Sequence, residues 1–529
     1  MKEFPRQLAA LLAAAVATAI VASIIQTHIN LRELAALGAQ VTAPLRARVT
    51  LGDLASFGPV MAGIALAALL PAFGISHLVL RYLAPAWRRA VFALTAVAGL
   101  WAAFWLMLNV IPMPAIAATR GGADQAVMSL AGVAGGLLYA ALSAPGGQAA
   151  QRRHGVTASL LVAAPVALFF ISAPAADKAL APVDPASYQV RTLVTGLDRP
   201  WSVAFLPDGR LLVTEMGGRL LAVTPAGKVF AIALDGLPPV FRQGGTVGLM
   251  DVAVDPDFAR NNWIYLTMGY GEAGANGTRL VRAELERESV KNVRVLFSST
   301  PKPRAGNNGG RIAFLRDGTL ALTVGDGNWR REEAQNPANH LGTVVRLSRE
   351  GRPPADNPFA GRPGAAPEVY SLGHRNPQGI AVDPVNGDLL LTEHGARGGD
   401  EINRIVAGGN YGWPLITAGI DYPFARVTPF RRLEGFIDPL LEWAPSIAPS
   451  GLAVVSGPLF PDWRGDLLVP ALRGRAVVRV QRDGRRIVGQ QTLLANLDQR
   501  IRDVKVGPDG AIYVLTDGAD ASLLRLSQP

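Results

Sequence analysis

Six segments of this chain repeat one design: an apolar-alternating strand, a Pro-Asp-Gly-like turn, then a second apolar strand. They begin near Val203 (VAFLPDGRLLVTE), Val252 (VAVDPDFARNNWIYLT), Ile312 (IAFLRDGTLALTVGD), Ile380 (IAVDPVNGDLLLTE), Leu452 (LAVVSGPLFPDWRGDLLVP) and Val504 (VKVGPDGAIYVLTD). The Asp-Gly and Asn-Gly pairs supply the positive φ that tight hairpins require. Most repeats are followed by another strand, as at residues 220–223, 344–347 and 477–480. About four strands per unit, repeated radially, is the signature of a β-propeller. The expected fold of residues 185–529 is therefore an all-β six-bladed β-propeller. Spacing between the third, fourth and fifth units is irregular because long loops intervene. Those loops carry the polar motifs, as happens when function is mounted on a rigid scaffold.

The 529 residues exceed what one ordinary core holds, and composition breaks sharply near residue 178. Before the break Ala, Leu, Val and Ile dominate, with apolar runs at 8–25, 59–80, 90–111, 126–142 and 156–171. A helix needs ~20 residues to cross the hydrocarbon layer. Residues 1–178 are thus expected to form an α-helical transmembrane domain of about five spans. Lys2 and Arg6 precede the first run, Arg81, Arg88 and Arg89 follow the second, and Arg152 and Arg153 follow the fourth. If all three groups are cytoplasmic, five crossings place the propeller outside, in the periplasm of a bacterial inner membrane. The loop with Arg32, Arg46 and Arg48 dissents weakly, since it also holds Glu33 and Asp53. The first run also has the basic start and apolar centre of a signal peptide, although three further runs favour a retained anchor. His77, near the end of the second run, reads as an interfacial residue or as a contact to a membrane quinone.

The formal charge is +10, yet the arginines are dispersed, without a basic helix or a basic run interleaved with aromatics. No nucleic-acid partner is expected; membrane-flanking loops and an anionic ligand account better for the excess. With no cysteine, this sequence offers no disulfide, thiolate metal site or thiolate-bound cluster.

The densest motif runs Gly373-His374-Arg375-Asn376-Pro377-Gln378-Gly379, then Glu393-His394-Gly395, then Gly398-Gly399-Asp400-Glu401. An arginine–asparagine pair, a glycine turn with free carbonyls and adjacent carboxylates are groups suited to a planar anionic organic molecule and a divalent cation. Together with GLMDVAVDPDF at 248–258, NHLGTVVRL at 339–347, IAPSG at 447–451 and RIRDVKVGPDG at 500–510, it resembles the pyrroloquinoline-quinone-dependent sugar dehydrogenases. That resemblance covers nearly all of residues 196–527 and implies a six-bladed propeller with the cofactor at one end of its axis.

The resemblance also implies roles. Arg500 and Arg502 would hold the cofactor's carboxylates, Arg473 stands where a lysine is common, and Arg375 and Asn376 would approach the quinone oxygens and ring. Thr246 replaces a glutamine expected beside the substrate and is grouped with the cofactor-binding residues. Gly395 and Ala396 would offer consecutive carbonyls to a catalytic calcium, and Glu401, Tyr411, Thr417 and Asp421 match a second, structural calcium. The implied reaction is hydride transfer from a sugar or aldehyde to pyrroloquinoline quinone, with electrons leaving to a membrane quinone or another acceptor. Its base is a histidine oriented by an aspartate. The aspartate is Asp326, but the histidine position is Asn307, whose amide cannot accept the proton. The expected catalytic group is therefore Asn307, Asp326 and Arg375. Three readings follow: Asp326 takes the proton itself, Asn307 and Asn308 bind a different substrate, or the propeller binds cofactor or carbohydrate without turnover. His340, His374 and His394 are no substitutes, since the family carries histidine at the first two positions and often at the third.

Overall fold

The computed structural model describes residues 3–111, 116–144, 180–243 and 247–529. By density of contacts the chain divides into two compact units, the helices together with Ile420–Pro429, and the strands and their remaining connections.

The helices are α1 (Glu3–Ala36), α2 (Ala43–Ser56), α3 (Gly58–Val79), α4 (Arg88–Val110), α5 (Gly122–Ser129) and α6 (Gly132–Leu142). Four stretches are long and apolar enough to cross a membrane: Phe4–Ala36, Gly58–Val79, Pro85–Val110 and Gly122–Leu142. They correspond to the first four expected runs, and the fifth, 156–171, lies outside the described residues. The segment read as a loop around Arg32 and Arg46 is helical instead, in α1 and α2. Leu31, Arg32, Glu33, Leu34 and Ala35 favour a helix, and no glycine or proline occurs between Pro5, in the first turn of α1, and Gly38. Arg120 then pairs with Glu33 at 3.1 Å and Arg32 with Asp124 at 3.0 Å. Glycines on α6 let backbones touch: a Cβ on Gly136 would stand 2.4 Å from the Phe92 carbonyl oxygen of α4. His77 lies 3.1 Å from the Tyr139 hydroxyl and packs edge-on against Phe92.

The strands form six sheets whose innermost members are, in chain order, Pro200–Phe205, Leu249–Val254, Ile312–Phe314, Pro377–Val382, Ala453–Val454 and Ile501–Val506. Each continues outward through antiparallel neighbours, for example Leu320–Val324, Thr343–Leu347 and Val369–Leu372 in the third blade. The expected six-bladed propeller is therefore present. The ring is closed by Gln189–Leu197, which precedes the first blade in sequence but pairs with Ala521–Ser527 as the outermost strand of the sixth. Apolar side chains pack between successive blades, as where Tyr265, Leu280 and Phe297 of the second meet Leu320, Leu322 and Val345 of the third.

One residue ties the blades at the axis. Arg311 is 1 % exposed; its Nε donates to the Gln378 carbonyl at 2.8 Å and its Nη2 to that of Ser450 at 2.6 Å. Its Nη1 lies 3.0 Å from Asp503, and its guanidinium stacks over Trp201. A buried cation is tolerated only when paired and hydrogen-bonded in this way. With Asp251 of the second blade at 3.6 Å, the residues it meets come from blades one, two, four and six and the connection into blade five, so one side chain holds the ring in register.

Candidate active site

Antiparallel order fixes which loops share an end. In a four-stranded blade the turns from strand two to three, and the crossings from strand four to the next blade, lie at the same end. Asn307 and Arg375-Asn376 sit on crossings into blades three and four; Asp326, Gly395-Ala396 and Arg473 sit on two-to-three turns. Arg500 ends the crossing into blade six and Arg502 opens its inner strand. Topology alone thus gathers the expected residues at one end of the propeller. Thr246 lies outside the described residues.

Arg375 is the centre of the cluster and is 6 % exposed. Glu393 fixes its backbone, with Oε2 accepting from the Arg375 N–H at 2.6 Å. The other oxygen of Glu393 accepts from His374 Nδ1 at 2.8 Å and from Asn403 at 3.0 Å. With Nδ1 donating, His374 Nε2 accepts from the Ser371 hydroxyl at 2.9 Å, so neither ring nitrogen is open to a substrate. The Arg375 guanidinium reaches the Gly395 carbonyl at 2.9 Å and that of His394 at 3.3 Å, and lies over the Trp413 ring. Neighbouring Asn376 donates to His394 Nδ1 at 3.3 Å while His394 Nε2 donates to the Pro449 carbonyl at 2.7 Å. Burial draws the His394 pKa down to about 4, against the pull of Asp400. His394 is a structural strut and a poor base.

Asp326 is fully buried, and both its carboxylate oxygens accept hydrogen bonds. Oδ1 accepts from Asn307 Nδ2 at 2.8 Å and from the Asn328 N–H at 2.7 Å; Oδ2 accepts from Trp413 Nε1 at 2.8 Å. Desolvation raises its pKa above the ordinary 3.8, opposed by the charge of Arg375 and by those three donors. Asn307 holds a left-handed backbone, φ 43°, and spends its amide N–H on Asp326. That leaves the amide oxygen, an acceptor but not a base.

Four guanidiniums, those of Arg375, Arg473, Arg500 and Arg502, stand at this end of the propeller. Arg500 and Arg502 share one carboxylate, Asp517, at 2.8 and 2.9 Å. Burial lowers the Arg502 pKa while Asp517 pushes it back up; burial likewise opposes ionisation of Asp517, but the two guanidiniums outweigh it and its pKa falls. Arg473 is exposed, and its guanidinium donates to the Ser446 carbonyl at 2.8 Å. Neither the Arg375 nor the Arg473 guanidinium pairs with a carboxylate among the described residues. This donor set fits a planar polycarboxylate.

Oxygen atoms gather beside it. Asp400 accepts from the Gly395 N–H at 2.8 Å and from Ala448 at 2.8 Å, shaping the turn. A Cβ on Gly419 would stand 2.6 Å from the Gly398 carbonyl oxygen and 2.7 Å from that of Ala396. A small pocket nearby is lined by Arg375, Gly395, Glu401, Tyr411, Trp413 and Thr417. Burial raises the Glu401 pKa well above its ordinary value, with Glu393 adding to the effect. No group of three His, Asp or Glu side chains converges to hold a metal among the described residues. The available donors are instead carbonyls with one or two carboxylates, a hard-oxygen set that suits calcium. The Tyr411 hydroxyl is already committed to the Arg404 carbonyl at 2.6 Å. Asp421 does not line the pocket; it falls in Ile420–Pro429, which groups with the helices.

Trp413 and Asn328 complete the site without having been singled out from the sequence. Trp413 lies within the span that the resemblance covers, but its contact with Asp326 spans 87 residues and leaves no local trace.

Comparisons with known proteins agree with this geometry. A family model described as Glucose / Sorbosone dehydrogenase matches residues 197–525. Aldose sugar dehydrogenase YliI of Escherichia coli (strain K12) is 40% identical over 350 residues, 65% of this chain and 94% of that protein. Quinoprotein glucose dehydrogenase B of Acinetobacter calcoaceticus is 27% identical over 436 residues, 66% of this chain and 90% of that protein. Among solved structures, the apo aldose sugar dehydrogenase of Escherichia coli aligns with TM-score 0.62 at 38% identity, covering 65% of this chain and 100% of that one. The PQQ-bound aldose sugar dehydrogenase of Streptomyces coelicolor aligns with TM-score 0.53 at 30% identity, covering 65% of this chain and 99% of that one. With that model running from the end of the ring-closing strand almost to the last one, the chain belongs to the glucose/sorbosone dehydrogenase family.

Proposed function

We propose that the propeller is a pyrroloquinoline-quinone- and calcium-dependent dehydrogenase that oxidises an aldose or an aldehyde. The observation that carries this reading is Arg375, a buried guanidinium with no carboxylate partner among the described residues, held between the Gly395 carbonyl and the Trp413 ring beside Asp326. Support comes also from the PQQ-bound relative and the quinoprotein relative.

When bound, pyrroloquinoline quinone supplies an electrophilic ortho-quinone that takes up two electrons from the substrate. Arg500, Arg502 and Arg473 would hold its carboxylates, Arg375 and Asn376 would address its oxygens, and Gly395 and Ala396 would offer carbonyls to calcium. The substrate hydroxyl donates to the free amide oxygen of Asn307. As the proton moves onto that oxygen, Asn307 Nδ2 passes the hydrogen it shares with Asp326 Oδ1 to the carboxylate, so Asp326 is the final base and the contact between the two side chains is kept. The raised pKa of Asp326 makes it a stronger base than an exposed carboxylate. Glu401 and Thr417 would contribute to a second cation site in the adjoining pocket.

The helices would anchor the protein in a bacterial inner membrane, with the propeller in the periplasm. Electrons would leave to a membrane quinone or another acceptor. A second reading, a propeller that binds cofactor or carbohydrate without turnover, is favoured by the three donors that already hold Asp326. The deciding experiment adds the cofactor and calcium to the purified protein and follows dye reduction across sugars and aldehydes. Sugar-dependent reduction supports the dehydrogenase; stoichiometric cofactor binding with no reduction supports the second reading.

A further inference from the structure

Beneath the segment bearing Asn307 lies a lysine that the chemistry above does not use. Lys302 is 2 % exposed, in the crossing between blades two and three. Its Nζ donates to the Gly306 carbonyl at 2.8 Å, Asn308 Oδ1 at 3.1 Å, the Arg304 carbonyl at 3.1 Å and Asn276 Oδ1 at 3.2 Å. An ammonium has three hydrogens, so four acceptors saturate it. Three of them belong to residues 304–308; the fourth, Asn276, is fixed in the strand Ala275–Glu286 and also pairs with the Lys302 backbone at 2.7 Å. The stem of Lys302 fills the space left by Gly327, where a Cβ would stand 2.3 Å from its Cδ. The side chain thus lies between the two loops that bring Asn307 against Asp326.

Packing alone does not call for a charge here. A methionine would fill the same volume without the desolvation cost of a buried cation. Burial pulls the Lys302 pKa down to about 7, with Asp326 pulling the other way as the carboxylate that faces it. Arg304, at the mouth of the same loop, stacks its guanidinium over Trp329 at 4.1 Å. The ammonium is retained where three of its four acceptors belong to the substrate-facing loop.

We propose that Lys302 is a positioning residue of the dehydrogenase reaction, its ammonium tying the Arg304–Asn308 loop to Asn276 so that Asn307 is held against Asp326. This rests on the dehydrogenase reading above. The anchoring itself is tested without cofactor, by hydrogen exchange on the full-length protein in detergent. In Lys302→Met the amides of residues 306–308 should exchange roughly tenfold faster, the scale of losing a charge-assisted hydrogen bond, while those of blade strands such as Leu320–Val324 hold. The wild type offers a second reading of the same quantity should the variant fail to fold. Once intrinsic rates are corrected, the same amides should lose protection as pH is raised through about 7. Unchanged exchange in the variant, or in the pH series where the variant does not fold, overturns the anchoring.

With cofactor and sugar, Lys302→Met should lower kcat roughly 10- to 100-fold while cofactor stoichiometry and affinity stay as in the wild type. A merely structural lysine would reduce the bound fraction and leave kcat per bound site unchanged, and that result overturns the proposal. A wild type without turnover overturns the dehydrogenase reading, and with it the role in catalysis, while the exchange result still decides the anchoring.

Discussion

The contact between Asn307 and Asp326 decides how this site works. In the family resemblance a histidine stands at that position, and here an amide takes its place while the aspartate stays, 2.8 Å away and shielded from water. If Asp326 accepts the substrate proton, Asp326→Asn should lower kcat by roughly 10²–10⁴ with cofactor affinity unchanged, measured by dye reduction beside cofactor titration. The pH dependence has a definite sign. The ionised carboxylate is the active form and its pKa is raised, so the rate should climb as pH rises through a midpoint above 3.8. That limb should be missing from any residual activity of Asp326→Asn. The reciprocal change, Asn307→His, places an imidazole against an aspartate already oriented to receive it and should raise kcat by a comparable factor. No gain would mean that the pocket has diverged beyond this residue.

At the scale of blades and loops, much was legible in the sequence because its cause was local. The Pro-Asp-Gly turns and alternating strands announced six repeats, and antiparallel order then sent Asn307, Asp326, Arg375 and Gly395 to one end. What could not be read depends on distant partners. Gln189–Leu197 looks like any edge strand, and nothing in it specifies pairing with Ala521–Ser527. The third-to-fourth connection of blade four, residues 406–440, returns to the site and delivers Trp413 to Asp326, a contact without sequence periodicity. Lys302 was invisible for the same reason, since its acceptors matter only once the loop has folded over it. The axial arginine belongs here too. Arg311→Met would leave Asp503 and Asp251 buried beside an apolar side chain, and it should destabilise the propeller by about 3–5 kcal/mol, read from its denaturant unfolding transition. A cost below about 1 kcal/mol would show that the blades hold their register without it.

For the molecule as a whole, a helical unit with four stretches long enough to span a bilayer accompanies a propeller of the glucose/sorbosone dehydrogenase family. If the helices anchor the chain, the full-length protein should stay in the membrane pellet after alkaline carbonate washing, and a protease added to spheroplasts should reach the propeller. Recovery in the soluble fraction would contradict the anchor and leave the propeller chemistry untouched. That chemistry depends on one claim: the guanidiniums of Arg375, Arg473, Arg500 and Arg502 together receive a planar polycarboxylate. The most direct measurement is calorimetric titration of pyrroloquinoline quinone into the purified full-length protein with calcium present, beside Arg375→Met and Arg502→Met. Saturable binding at one equivalent, weakened at least tenfold in each variant, is the expected result; no saturable heat with the wild type, or equal affinity in all three proteins, would contradict it.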